Sequence, residues 1–317
     1  MVWTEKYRPT TLSELVGQQS VVSRLKQFAA SRNMPHCLFV GPPGVGKTTA
    51  AMCLSRDLLG DGFSSGYMEM NASDNRGIDV VRDQVKDYAR TVAFGDLPFK
   101  ILVLDECDSM TSEAQHALRR TMELYTDRCR FILIGNYANR IIEPIQSRCA
   151  IFRFTRLSKS DVVKRLEYIC KKEKVEYSSD GLEELFEATG GDLRMCINAL
   201  QSLAVLGKPV GSKNVAEVLG SALGSDVSEL VSLALDGRFS DARKKLQEIL
   251  YVRAAAPEDL VKQIYREVTK SAFPDAVKVG ILSYLGDTEY RLIEGADGEI
   301  QLDSLLAKMG VLSKGLK

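Results

Sequence analysis

Gly41-Pro42-Pro43-Gly44-Val45-Gly46-Lys47-Thr48 is the stretch on which the reading of the fold turns. It has the spacing Gly, four residues, Gly-Lys-Ser/Thr, in which glycines let successive backbone N–H groups turn inward around a phosphate at a helix N-terminus. The flanks agree: the apolar run Cys37–Val40 leads in, and a helical pattern from Lys47 to Leu59 leads out. In such a loop Lys47 bridges the terminal phosphates and the Thr48 hydroxyl ligates Mg²⁺. A glycine-rich turn matching by chance would have neither flank.

Working outward, residues 1–157 alternate short apolar runs with helical patterns. The runs His36–Val40, Tyr67–Met70, Lys100–Leu104, Arg130–Ile134 and Ala150–Phe154 are the length of buried strands, separated by enough chain for crossover helices. That alternation predicts an α/β domain with a parallel sheet covered on both faces. After Leu157 the strand pattern stops. Ser158 with Asp161 caps a helix carrying Val162, Leu166, Ile169 and Cys170. A second helix carries Leu182, Leu185 and Phe186 and ends near Gly190-Gly191, and a third runs from Leu193 to about Leu206. Helical spacing then returns over Val227–Leu235, Phe239–Tyr251, Glu258–Lys270, Ala276–Glu294 and Gln301–Lys308. The expectation is three domains: 1–157 binding nucleotide, 158–223 a small helical lid, and 224–317 an all-helical domain.

Composition narrows the function classes. Forty-two Lys plus Arg balance forty-two Asp plus Glu, which excludes a uniformly basic DNA-coating protein but not a local basic stripe. Seven cysteines, without a CxxC pair or a nearby His, read as buried free thiols rather than a zinc site or a secreted disulfide framework. No apolar run has the length of a signal peptide core or a membrane span, so the expected location is the cytoplasm, or the nucleus in a eukaryote.

A second chemical motif is Ile101-Leu102-Val103-Leu104-Asp105-Glu106. Two carboxylates ending a buried strand can be a solvated strand end. Beside a phosphate loop they read as Asp105 in the Mg²⁺ shell and Glu106 polarising the attacking water. Asn136 follows a predicted strand, Arg148 lies in Ser147-Arg148-Cys149, and Arg194 opens a helix after Gly190-Gly191-Asp192-Leu193. Each alone is weak evidence, because an isolated arginine is more often a surface ion pair.

Taken together, these residues make the whole chain resemble the small subunits of replication factor C, the sliding-clamp loader of archaea and eukaryotes. The resemblance is carried by Trp3-Thr4-Glu5-Lys6-Tyr7-Arg8-Pro9, Asn71-Ala72-Ser73-Asp74-Asn75-Arg76-Gly77-Ile78, Asn136-Tyr137, and Ile142-Glu143-Pro144-Ile145-Gln146-Ser147-Arg148-Cys149. Cys107, where the family often has Ala, and Gly135-Asn136 are small departures that remove no catalytic group. The absence of long terminal extensions argues against the large subunit, and the compact ends suit an archaeal origin. The resemblance implies an AAA+ ATPase in which Asn136 is the first nucleotide sensor, Arg194 the lid sensor, and Arg148 a finger acting in trans on a neighbour's ATP. It places adenine against Val2, Tyr7, Arg8, Pro9, Val16 and Gly17, with the phosphates on Gly41 through Thr48 and on Thr49. Simple docking of the N-terminus is the plainer reading of that first segment.

The same resemblance implies DNA-backbone contacts by Arg76, Arg82 and Arg140, and a regulatory Asn71 that restrains Glu106 until DNA binds. It sets clamp contacts at Tyr88, Val92 and Phe94, whereas Val85 and Ala89 on the same stripe read as core. The implied partners are other loader subunits, small and large, in a pentameric ring held by the C-terminal helices. To these it adds a sliding clamp of the PCNA type and primer–template DNA bound without sequence preference. The function so implied is ATP-driven clamp loading. Two rivals are a nucleotide-binding structural subunit without turnover and another DNA-acting AAA+ motor of the branch-migration kind. A structural subunit has no need of the full set Lys47, Thr48, Asp105, Glu106 and Arg148. The motor calls for a C-terminal winged helix, where only helical patterns are found.

Overall fold

A computed structural model of the chain describes residues 1–73, 78–92, 97–219, 223–253 and 255–314. Five strands form one parallel sheet: β1 (His36–Val40), β2 (Tyr67–Asn71), β3 (Lys100–Asp105), β4 (Cys129–Gly135) and β5 (Cys149–Arg153), in the order β2-β3-β4-β1-β5. β1 coincides with its apolar run. β2, β3 and β4 extend beyond theirs at their C-terminal ends, because backbone pairing continues after the side chains turn polar: Asn71 pairs with Asp105, and Val40 with Gly135. β5 starts one residue earlier than its apolar run, yet Phe154 N–H still donates to the Val40 carbonyl at 2.7 Å.

Both faces of the sheet are covered, which is why these strands read as continuous rather than alternating apolar runs. Alternate residues go to opposite cores. Cys37, Phe39, Ile101, Val103, Ile132 and Ile134 pack on one side against the helices Gln19–Ser31 and Lys47–Leu59. Leu38, Leu102, Leu104, Phe131 and Leu133 pack on the other, with Leu118 and Met122 of the helix Ser112–Leu124 and Val85 and Ala89 of the helix Ile78–Arg90. Val85 and Ala89 are thus core residues, as expected.

Three helices follow β5: Lys159–Glu173, Ser179–Thr189 and Leu193–Val205. The cap expected at Ser158 and the stop expected at Gly190 are both found, and Asp192, not read as a cap in the sequence, starts the third helix. Ser158 Oγ accepts from Asp161 N–H at 3.2 Å, Gly190 closes the second helix at φ +63°, and Asp192 Oδ1 caps the third through Met195 N–H at 3.0 Å. The chain packs as two compact units, Met1–Ser212 and Lys213–Lys317. The second is helical: Leu223–Leu235, Phe239–Gln247, Pro257–Lys270, Asp275–Ile293 and Gly298–Lys314 enclose a core that includes Leu230, Leu246, Ile264, Leu285 and Leu305. The helix expected over Phe239–Tyr251 changes at Glu248–Val252 to a wider π turn. The helix Ser212–Val218, too short to show a full apolar stripe, has no counterpart in the sequence reading. All seven cysteines are free thiols, six of them buried, and no described helix is long and apolar enough to cross a membrane.

One buried polar contact has a measurable signature. His36 on β1 accepts the Phe131 N–H at Nδ1 (3.1 Å), which leaves Nε2 as the donor toward Thr126 Oγ1 (3.2 Å). Burial, helped by Arg130, pushes its pKa down from 6.5 to about 4. The folded state therefore holds the ring neutral while the unfolded chain takes up a proton. The stabilisation is complete above pH 6.5 and is lost as pH falls from there to about 4, worth about 3 kcal/mol in all. An imidazole NMR titration should find His36 neutral down to about pH 4; a ring titrating near its ordinary value would contradict this packing.

Candidate active site

At the carboxyl ends of β1, β3 and β4 the first unit holds a cavity of about 550 Å³, within the usual range for small-molecule sites. β1 delivers the phosphate loop, β3 delivers Asp105 and Glu106, and β4 delivers Asn136. The lid helices add Arg165, Arg194, Ile197 and Asn198, and the N-terminal segment adds Val2, Tyr7, Arg8 and Pro9.

The loop depends on two glycines. Gly41 runs so close to the chain after β5 that a Cβ there would lie 2.2 Å from the Phe154 carbonyl oxygen. Gly44, at φ +69°, lies against the Asp192 carboxylate, where a Cβ would fall 2.0 Å from Oδ1. Lys47 opens the following helix, and its Nζ donates to the carbonyls of Gly41 (2.6 Å) and Pro42 (2.7 Å) and to Asn136 Oδ1 (2.9 Å). Burial lowers the Lys47 pKa, and the nearby Asp105 and Asp108 carboxylates act against that shift. Thr48 Oγ1 donates to Asp105 Oδ2 at 2.7 Å. A hydroxyl and a carboxylate oxygen one hydrogen bond apart form the pair of hard donors that Mg²⁺ uses when substrate phosphates and water complete its octahedron. Thr48 and Asp105 fit that ion.

Glu106 sits just beyond, at φ 55° and ψ 33°, a left-handed conformation that costs a non-glycine residue about 1 kcal/mol. Its N–H is held by Asp105 Oδ1 at 2.8 Å. Its Oε2 accepts from Ser73 Oγ at 2.5 Å, and Asn71 Oδ1 accepts from the Ser73 N–H at 2.8 Å and shares that single hydroxyl proton with Glu106, also at 2.8 Å. Asn71 thus reaches Glu106 through Ser73. Because β2 lies on the side of β3 away from β4 and β1, this link draws the carboxylate toward the outer edge of the sheet.

The residues expected at the site are largely gathered there. Val2, Tyr7, Arg8, Pro9, Val16, Pro43 through Thr49, Asp105, Glu106, Asn136 and Arg194 all line the cavity. Gly17, Gly41 and Pro42 do not, although the carbonyls of Gly41 and Pro42 accept from Lys47, which does. Arg148 lies outside, exposed, its guanidinium on Glu123 (2.6 Å) and the Pro144 carbonyl (2.7 Å). Arg140 is exposed over the Tyr137 ring at 4.8 Å. Of the clamp set, Val92 is 73% exposed, while Tyr88 is half-buried beneath the Lys100 ammonium, 4.1 Å from its ring. Arg76 and Phe94 lie outside the described residues, as does the side chain of Arg82. Sequence reasoning missed Ser73, Asp108, Arg165 and Asn198. Arg165 and Asn198 line the cavity once the lid has folded over it, whereas Ser73 and Asp108 act on it only through their bonds to Glu106 and to the Asn136 backbone, which strand order alone brings about.

Three sequence families cover most of the chain. Residues 37–157 match the ATPase family associated with various cellular activities, 164–205 match an RCF1/5-like AAA+ ATPase lid domain, and 223–308 match the replication factor C C-terminal domain. The replication factor C small subunit of Saccharolobus solfataricus is 53% identical over 98% of this chain and 94% of its own length. The corresponding protein of Archaeoglobus fulgidus is 49% identical over 99% and 98%. The chain belongs to the replication factor C small-subunit family. It is accordingly an AAA+ ATPase-family protein with a five-stranded parallel sheet, a helical lid and a C-terminal helical domain. Among solved structures, the Thermotoga maritima RuvB Holliday junction branch migration motor superposes with a TM-score of 0.54 at 16% identity, over 81% of this chain and 85% of its own. A variant of that motor reaches 0.56 at 14% identity, over 87% and 92%. At that identity the likeness is one of fold alone.

Proposed function

We propose that the chain is an ATP-hydrolysing subunit of a sliding-clamp loader, which opens a ring-shaped clamp and places it on primer–template DNA. One observation carries this reading: a single cavity gathers Lys47, Thr48, Asp105, Glu106, Asn136 and the lid residue Arg194, while Arg148 projects elsewhere. That is a hydrolytic set lacking its arginine, on a chain about half identical to replication factor C small subunits. The reading divides it into a nucleotide-binding domain 1–157, a lid 158–223 and a collar 224–317 that joins neighbouring subunits.

In this reading the loop from Gly41 through Thr49 wraps the phosphates of ATP, and Lys47 exchanges its carbonyl partners for the terminal phosphates. Bound Mg²⁺, held by Thr48 and Asp105, would neutralise phosphate charge. Glu106 accepts the proton of the attacking water, Asn136 orients that water or the terminal phosphate, and Arg194 follows the nucleotide from the lid. Adenine lies against the N-terminal segment. Arg148 serves the site of the adjacent subunit, where such a residue is worth roughly 10³–10⁵ in rate. Arg76, Arg82 and Arg140 track the DNA backbone, and Tyr88, Val92 and Phe94 contact the clamp.

Two substitutions test the arrangement. In the assembled loader Arg148→Ala and Lys47→Ala should each abolish most turnover when present in every small subunit. A mixture of the two should recover a sizeable share, because a Lys47→Ala subunit still offers its finger to an intact neighbouring site. A mixture as inactive as either variant would contradict a finger acting in trans, and a wild-type loader that binds ATP without hydrolysing it would favour the structural-subunit reading. Separately, the Asn71–Ser73–Glu106 link supports restraint of the base from β2. Asn71→Ala should raise hydrolysis without DNA while leaving the DNA-stimulated rate near wild type; unchanged basal turnover would count against the restraint.

A further inference from the structure

We propose that Asp108 is the positioning residue for Asn136, the side chain that pairs with Lys47 in the cavity; the inference rests on reading that cavity as the ATP-hydrolysing site. Asp108 lies in the turn Cys107–Ser109 just after β3 and is 9% exposed. Its Oδ2 accepts two consecutive backbone N–H groups at the end of β4, from Asn136 at 3.0 Å and Tyr137 at 3.1 Å. Its other oxygen lies so close to Gly135 that a Cβ there would be 3.0 Å away, so the backbone at the end of β4 is pressed against the carboxylate. Hydrogen bonds to an ionised acceptor are the strong ones, and two from adjacent peptides fix both position and rotation of the segment between them.

The consequence is felt at Lys47. Asn136 is exposed and follows a strand end, so nothing in its own packing holds it. Its Oδ1 nevertheless stands 2.9 Å from Lys47 Nζ. The ammonium has only donors, so the oxygen must face it and the amide NH₂ is left to serve a phosphate oxygen or the attacking water. Asp108 sets the backbone from which that geometry follows. It touches neither substrate nor reacting atoms and acts only through Asn136. The same oxygen ties Tyr137, whose ring lies 4.8 Å beneath the Arg140 guanidinium. The sensor amide and the first residue of the exposed turn therefore share one anchor.

The test is a double-mutant cycle in the assembled loader, with an NMR readout on the full chain. Asp108→Ala should lower kcat about tenfold or more with little change in KM for ATP, the size expected for lost hydrogen bonds to a charged acceptor. In an Asn136→Ala background the same change should cost less than about twofold, since the residue it positions is gone. Asp108→Asn keeps the shape and one acceptor oxygen; it should fall between wild type and Asp108→Ala in kcat. It should also move the Asn136 and Tyr137 amide protons upfield and speed their exchange. Multiplicative losses in the cycle, or unmoved Asn136 and Tyr137 amides in folded Asp108→Asn, would overturn the proposal. A wild-type loader without ATP turnover would instead overturn the reading of the cavity on which it rests, whatever the amides report.

Discussion

The burial of β1 on both faces, hydrogen-bonded between β4 and β5, is the constraint on which the rest of the site depends. A central parallel strand has no free edge and no solvent face, so the chain must leave it abruptly. Its path runs past the backbone at Phe154, where a side chain at position 41 has no room. That sharp exit aims the N-terminus of the helix Lys47–Leu59 back over the strand ends, where Asp105 and Asn136 emerge from β3 and β4. Apolar burial thus decides where the polar chemistry assembles. The sheet core on both sides holds Lys47, Thr48 and Asp105 at distances that surface loops alone would not maintain.

A second set of contacts closes the cavity from above. The Tyr7 hydroxyl and Lys6 ammonium both donate to Glu173 at 2.6 Å, Arg165 donates to the Tyr7 carbonyl at 2.6 Å, and the N–H of buried Trp3 donates to Gln201 at 2.8 Å. The first residues are therefore strapped to the lid helices while also lining the nucleotide cavity. Burial, then the bond to Glu173, raises the Tyr7 pKa; the bonds from Lys6 and Tyr7 lower that of Glu173. Asp192, pressed against Gly44 from the lid, is a third tie between lid and phosphate loop. Any change in lid angle must be felt at both ends of a bound nucleotide.

Much of this was readable in the sequence for physical reasons. A buried parallel strand writes itself as a short apolar run, so all five strands could be placed within a residue or two. The helix cap at Ser158 and the glycine stop at Gly190 likewise carry their own chemistry. The phosphate loop is readable because backbone geometry demands glycine at fixed spacing. What could not be read depends on strand order and lid closure. Ser73 bonds Glu106 only because β2 happens to flank β3, and Asp108 meets Asn136 only because β4 flanks it on the other side. That Lys100 at the start of β3 lies over the Tyr88 ring is likewise beyond the helical stripe alone. The short helix Ser212–Val218 is missing from the sequence reading because a seven-residue segment shows too little of an apolar period.

If the chain works as proposed, the cavity of each subunit lacks only an arginine that its neighbour supplies, and it turns over fully only once DNA is bound. Steady-state ATP hydrolysis per subunit, measured across a range of loader concentrations with and without primer–template DNA, tests this most directly. The expected result is turnover that climbs as subunits assemble and climbs again when primed DNA is added. Turnover per subunit that is constant with concentration and indifferent to DNA would contradict it.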